Sequence, residues 1–205
     1  MRNATTKSSG KVLASVALLA AAAGVAGLGT FGSFTSTTSA SEAVGSGTVT
    51  IALGSTAATN RLNVAASGLV PGDTVERAVT LTNTGTQDLS TVSLTTTATT
   101  SSKLDTDATN GLQLLIESCS TAWTEAGTAP AYTYTCSGTV KTVLASRAIV
   151  GANQVLTNLQ SLGSTKTDYL RVKVTLPTAA DNTFQGLNSV VGFDFTGTQR
   201  AATSK

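Results

Sequence analysis

The chain alternates apolar and polar residues in short runs, each bounded by residues that turn the backbone. In "TVTIAL" Val49, Ile51 and Leu53 fall on one face, and in "TVERAVTLTNTG" Val75, Val79 and Leu81 do the same, with Arg77 breaking the series. "YLRVKVTLP" is the cleanest case: Leu170, Val172, Val174 and Leu176 point one way, Tyr169, Arg171, Lys173 and Thr175 the other. "SVVGFDFTGTQ" sets Val191, Phe193 and Phe195 on a single face. A period of two marks strands buried on one side. "VPGD" at 70–73, "NTG" at 83–85, "NG" at 110–111 and "PTAADN" at 177–182 supply turns, with Pro177 ending its strand. "NTG" joins 74–82 to 89–97 as a β-hairpin or a longer connection. Only "ANQVLTNLQSL", 152–162, has spacing compatible with a short helix, and an irregular crossing fits it equally. Many strands and at most one or two short helices predict an all-β antiparallel sandwich.

The first 32 residues break this pattern. Arg2, Lys7 and Lys11 precede "VLASVALLAAAAGVAGL", residues 12–28, and no acidic residue occurs before Glu42. A basic head followed by an apolar run reads as a secretory signal peptide, with a retained membrane anchor as the competing reading. Small residues suit cleavage at two places: after Gly32, with Thr30 two residues earlier, or after Ala40, with Thr38. The first lies nearer the apolar run, so the expected cut falls between Gly32 and Ser33. The organisation expected is a signal peptide over 1–32, an N-terminal segment over 33–45, a β-domain over 46–198 and a polar tail over 199–205.

Losing the leader changes the charge balance. Of thirteen basic residues three lie in it, which leaves ten against eleven acidic ones, a net charge of −1. The basic character therefore belongs to the leader, and nucleic acid is not an expected partner. Charged residues are 12% of the chain and His is absent, which removes the commonest general base and the commonest zinc ligand. No cofactor is expected, and catalytic and metal residues are expected to be none. Cys119 and Cys136 fit one disulfide in an oxidising exterior; a loop of about 18 residues so closed stabilises by roughly 3 kcal/mol in the chain-entropy model. Between them, Trp123, Tyr132 and Tyr134 form either a binding loop or a small satellite core over the disulfide. Asp105, Asp107, Asn110 and Gly111 are faintly spaced like a calcium loop, but Ile116 stands where the closing carboxylate of that loop belongs. A solvated turn is the plainer reading. "LPTAA" at 176–180 imitates a wall-sorting signal, yet another strand follows it.

The leader's "LGTFGSFTST", then "GSGTVTIAL", "LVPGDTVERAVTLTNTGTQDLSTVSL", "SLGSTKTDYLRVKVTLP" and "DNTFQGLNSVVGFDFTGTQ" resemble, in this order and over essentially the whole chain, the TasA/camelysin (CalY) family of secreted bacterial proteins. The single Cys pair and the Trp soon after its first member are similar to actinobacterial representatives. The resemblance implies a jelly-roll β-sandwich and a leader cut by a signal peptidase of the SipW type. It also implies assembly into extracellular biofilm-matrix fibres by donor-strand exchange, each subunit lending its N-terminal segment to a neighbour. That segment maps to Ser33 through Val44, with Thr35 within it and Phe34 its largest apolar anchor. The implied partners are copies of the chain itself or paralogous subunits, the implied location is the extracellular matrix or cell surface, and membrane contact is only through an uncleaved leader. The family also carries a metallo-endopeptidase label; a chain with no His and no HExxH is expected not to be an enzyme. The alternative to a structural subunit is a surface or matrix binding module that uses Trp123, Tyr132 and Tyr134.

Overall fold

The alternating runs become strands in a computed structural model, which describes residues 35–38, 51–53, 62 and 64–201. The leader, the Gly32–Ser33 cleavage position, Phe34 and Val44 lie outside the described residues. In chain order the strands are β1 (Thr35–Thr38), β2 (Ile51–Leu53), β3 (Val64–Ser67), β4 (Thr74–Asn83) and β5 (Leu89–Thr100). A one-turn helix α1 (Lys103–Thr106) precedes β6 (Gln113–Cys119), β7 (Thr124–Thr128) and β8 (Ala131–Thr135). Then come β9 (Val140–Ala148), β10 (Gly151–Val155), β11 (Thr167–Thr175), a 3-10 turn (Asn182–Phe184) and β12 (Asn188–Gln199).

Two antiparallel sheets make a jelly-roll-like sandwich. One runs β1-β12-β5-β10, with β3 also on β12; the other runs β2-β4-β11-β6-β9. Their facing sides share one core, in which Leu81, Ile116, Leu170, Val172 and Val174 of one sheet meet Val92, Leu94, Val191, Phe193 and Phe195 of the other. The alternation read along β11 and β12 is the burial pattern observed, because each strand has one face on this core and one outside it.

Two expectations resolve in the structure. The "NTG" connection is not a hairpin but an arch between sheets. One edge of β4 is taken by β11 and the other, at residues 81–83, by β2, while β5 lies in the other sheet between β12 and β10. Buried Asn83 makes the exit: its Oδ1 accepts from Gly85 N at 2.9 Å and its Nδ2 donates to Gln87 O at 3.0 Å. The stretch 152–162 holds no helix. It finishes β10 and then crosses irregularly, because its backbone groups are taken by other strands: Leu156 N bonds Val92 O at 2.9 Å and Thr157 N bonds Val143 O at 3.0 Å.

The turns follow their sequences. In "VPGD" Asp73 N donates to Val70 O at 3.0 Å, Val70 N donates back to the Asp73 carboxylate at 2.9 Å, and Gly72 takes φ +97°, which a side chain would resist. Leu170 is fully buried between β4 and β6. Replacing it with Ala is expected to cost about 2–5 kcal/mol, the range for emptying a closed core site. A urea denaturation midpoint lowered at unchanged m-value is the check.

Candidate functional site

The Cys119–Cys136 disulfide forms, with Cα atoms 5.8 Å apart, and it closes the base of a separate two-stranded hairpin, β7-β8. The aromatic side chains between the cysteines turn inward, while most of the others are exposed. Trp123 and Tyr134 are buried with Cys119 and Ala78, and Tyr132, Tyr169 and Cys136 pack against them. The indole Nε1 donates to Tyr169 O at 2.9 Å, so the polar atom of Trp123 is used within the protein. Arg171, on the outward face of β11, holds this cluster down. Its guanidinium lies 4.6 Å from the Trp123 ring centre, pairs with Glu117, stands 3.5 Å from Glu76 Oε1 and donates to Tyr134 O at 3.3 Å. Arg77, the exception in the alternation of β4, is accounted for by the same hairpin: its guanidinium sits 5.3 Å from the Tyr132 ring centre. Burial, then the hydrogen bond to Glu125 at 2.6 Å, pushes the Tyr134 phenol up to about 12. These aromatics form a satellite core rather than an exposed contact surface. A cleft of about 260 Å³ beside Trp123 is lined by Ala78, Val79, Thr80, Ala122 and Tyr169, none of which is a nucleophilic thiol or a carboxylate.

The carboxylates of "KLDTDATNG" are committed to capping. Asp105 is buried; its two oxygens accept from Ser101 Oγ, Ser102 N and Ser189 Oγ, each at 2.6 Å. Burial alone would raise its pKa, but the hydrogen bonds from Ser101, Ser189 and the Ser102 backbone outweigh that and lower it. Asp107 Oδ1 accepts from Asn110 N at 2.9 Å and Thr109 N at 3.1 Å, which also lower its pKa. A β-carbon on Gly111 would stand 2.4 Å from Asp107 O, so the turn admits only glycine there. The loop ties α1 to Ser189 at the start of β12.

Sheet edges decide where another chain can add, and the described edges differ. On β9, Val143 O accepts from Thr157 N and Thr142 O from Asn158 Nδ2 at 2.8 Å, so its outer carbonyls are partly taken. On β10 the register slips between Gly151 and Gln154, and Asn153 adopts φ +51°, a bulge that blunts the edge. The outer edge of β12 is regular and carries two short strands in line. β3 pairs antiparallel with Asn188–Val191 and β1 with Phe195–Thr198, in the register Thr35↔Thr198 to Thr38↔Phe195. Between them, residues 192–194 have no ladder partner on that side among the described residues. The four residues of β1 cost roughly 4–8 kcal/mol to order, against about 2–6 kcal/mol for at most four net hydrogen bonds.

Compared with known proteins, residues 8–204 match the family model described as camelysin metallo-endopeptidase. None of the curated proteins matches the chain. The donor set does not fit the metal that this description implies: among the described residues no three His, Cys, Asp or Glu side chains come together to hold one.

Asp105→Asn is expected to lower stability by about 1–3 kcal/mol, the cost of spoiling a buried, hydrogen-bonded acceptor. The sign with pH follows from the lowered pKa. The carboxylate's contribution is complete above its ordinary value of 3.8 and is lost as pH falls through the lower folded-state value. Denaturation of both proteins from pH 7 down to pH 2 should show the gap between them closing only below about pH 4.

Proposed function

Since the chain belongs to the camelysin metallo-endopeptidase family, we propose that it serves as a structural member of that family: a secreted subunit of extracellular, biofilm-matrix fibres that assembles by lending its N-terminal segment to a neighbour. The observation that carries this reading is the position of β1. The part of the donor segment that is described, Thr35–Thr38, already lies as an edge strand, and its ladder among the described residues is the antiparallel one to β12. A strand that joins an edge by its backbone can join the same edge on another copy, which is the physics of β-augmentation. Export through the N-terminal leader, with cleavage between Gly32 and Ser33, frees the segment; a SipW-type peptidase is the processing partner in this reading, and copies of the chain or paralogous subunits are its neighbours in the fibre.

The protease description of the family finds no support in the chemistry of this chain. His is absent from the sequence, and the aromatic cleft offers no group that activates water. Burial of Trp123 and Tyr134 likewise takes away the surface that a binding-module reading would use.

Deleting residues 33–44 from the mature protein is expected to leave a folded monomer that cannot elongate. Electron microscopy showing fibres of unchanged number and length from that truncation would overturn the structural-subunit reading. Purified protein at micromolar concentration is also expected to leave casein intact with and without a chelator, and chelator-sensitive cleavage would restore the peptidase reading.

A further inference from the structure

Alternate residues of an antiparallel strand turn their backbone groups to opposite edges. The ladder from β4 to β11 runs without a register shift from Thr74 to Thr82. Its two ends show which residues face β11: Leu176 N donates to Asp73 O at 3.0 Å, and Asn83 N donates to Lys166 O at 3.0 Å. The even-numbered residues of β4 therefore turn their backbone groups to the other edge, where Thr82 stands opposite Ala52 of β2. Further along that edge the β7-β8 hairpin meets them. The Ala78 backbone N–H bonds to the Tyr134 hydroxyl, which itself donates to Glu125 at 2.6 Å. Glu76 O accepts from the Arg77 guanidinium at 2.6 Å, and that guanidinium lies over the Tyr132 ring and donates to Pro130 O at 3.5 Å. We propose that the hairpin is an edge guard: through Tyr134 and the Arg77–Tyr132 pair it occupies backbone groups of β4 and so bars this edge to a strand from a second copy of this chain. The guard goes beyond the fibre-subunit reading and does not require it, because the guarded edge lies in the sheet opposite β12.

Three observations favour a guard over reinforcement alone. Tyr134 uses its hydroxyl both ways, accepting from Ala78 N–H and donating to Glu125, where a phenylalanine would fill the same space and cap nothing. Arg77 interrupts the apolar alternation of β4, and a long cation laid along an edge is one of the means by which sheets avoid edge-to-edge pairing. The hairpin is itself a poor template for a further strand: β7 and β8 have five residues each, Gly127 takes φ +84°, and Pro130 has no N–H to donate. The Cys119–Cys136 disulfide and the indole of Trp123, bonded to Tyr169 O, keep the guard in place. A strand joining β4 would have to displace Tyr134 and Arg77 before its backbone could pair.

The test uses the mature secreted protein at a concentration at which the wild type is monomeric. Tyr134→Phe keeps the ring and removes the hydroxyl that caps Ala78, and Arg77→Ala removes the cap on Glu76 O. In the double variant the Ala78 amide is expected to exchange with deuterium about tenfold faster or more than in the wild-type monomer, read by NMR. The same variant should associate, read by analytical ultracentrifugation, and in the associated species the Ala78 amide should regain protection, which places the added strand on β4. Exchange at the wild-type rate overturns the cap. Fast exchange in a protein that stays monomeric overturns the guard, and so does association that leaves the Ala78 amide fast. Leu170→Ala, which weakens the core and leaves the hairpin as it is, should stay monomeric; its association to the same extent assigns the effect to lost stability and overturns the guard as well. If the double variant does not fold, Tyr134→Phe alone is read by the same two measurements and decides in the same way. None of these outcomes bears on the fibre-subunit reading, which is tested by the truncation of residues 33–44.

Discussion

Strand β12 is the member on which the rest of the sandwich depends. Its inward side chains Val191, Phe193 and Phe195 reach the shared core, its length is laddered to β5, and its other edge carries β1 and β3. One strand therefore ties the core, the sheet and the edge together. Asp105 adds a polar anchor at its start, because the buried carboxylate accepts from Ser189 Oγ as well as from the residues that cap α1. A shift of β12 along β5 would at once expose the phenylalanines and break that hydrogen bond, which makes its register costly to change.

The outer face of the other sheet has a different logic. A two-stranded hairpin is marginal by itself, and β7-β8 is held by the disulfide, by Trp123 and by the guanidinium of Arg171. Arg171 joins two strands and the hairpin through Glu76, Glu117 and Tyr134, an arrangement that suits a planar cation with several donors. The hairpin reads as reinforcement of the sandwich, and the assembly proposed for the chain uses the opposite sheet.

Much of the fold was legible along the chain. Strands β11 (Thr167–Thr175) and β12 (Asn188–Gln199) follow from strict alternation, and the disulfide from two cysteines in a chain without other thiols. The candidate site was legible only in part. Nothing local marks Arg171 as the clamp of the aromatic cluster, because its partners come from β4, β6 and β8. Asp105 and Asp107 have the residue type and spacing of oxygen ligands, and only the closure of the loop on Ser102, Ser189 and Asn110 shows both oxygens of Asp105 and Oδ1 of Asp107 accepting hydrogen bonds.

By itself the sequence determined which residues face inward, where the chain turns and that no histidine chemistry is available, since these depend on side-chain type and on a two-residue period. Tertiary structure alone decided which strands are neighbours. The run after "NTG" crosses to the second sheet, where β12 and β10 flank it, while β11 and, at residues 81–83, β2 flank β4; Thr35–Thr38 pairs with Phe195–Thr198 of β12. Strand pairing joins residues far apart in the chain through backbone groups that every residue shares, so the sequence pattern carries no label for the partner.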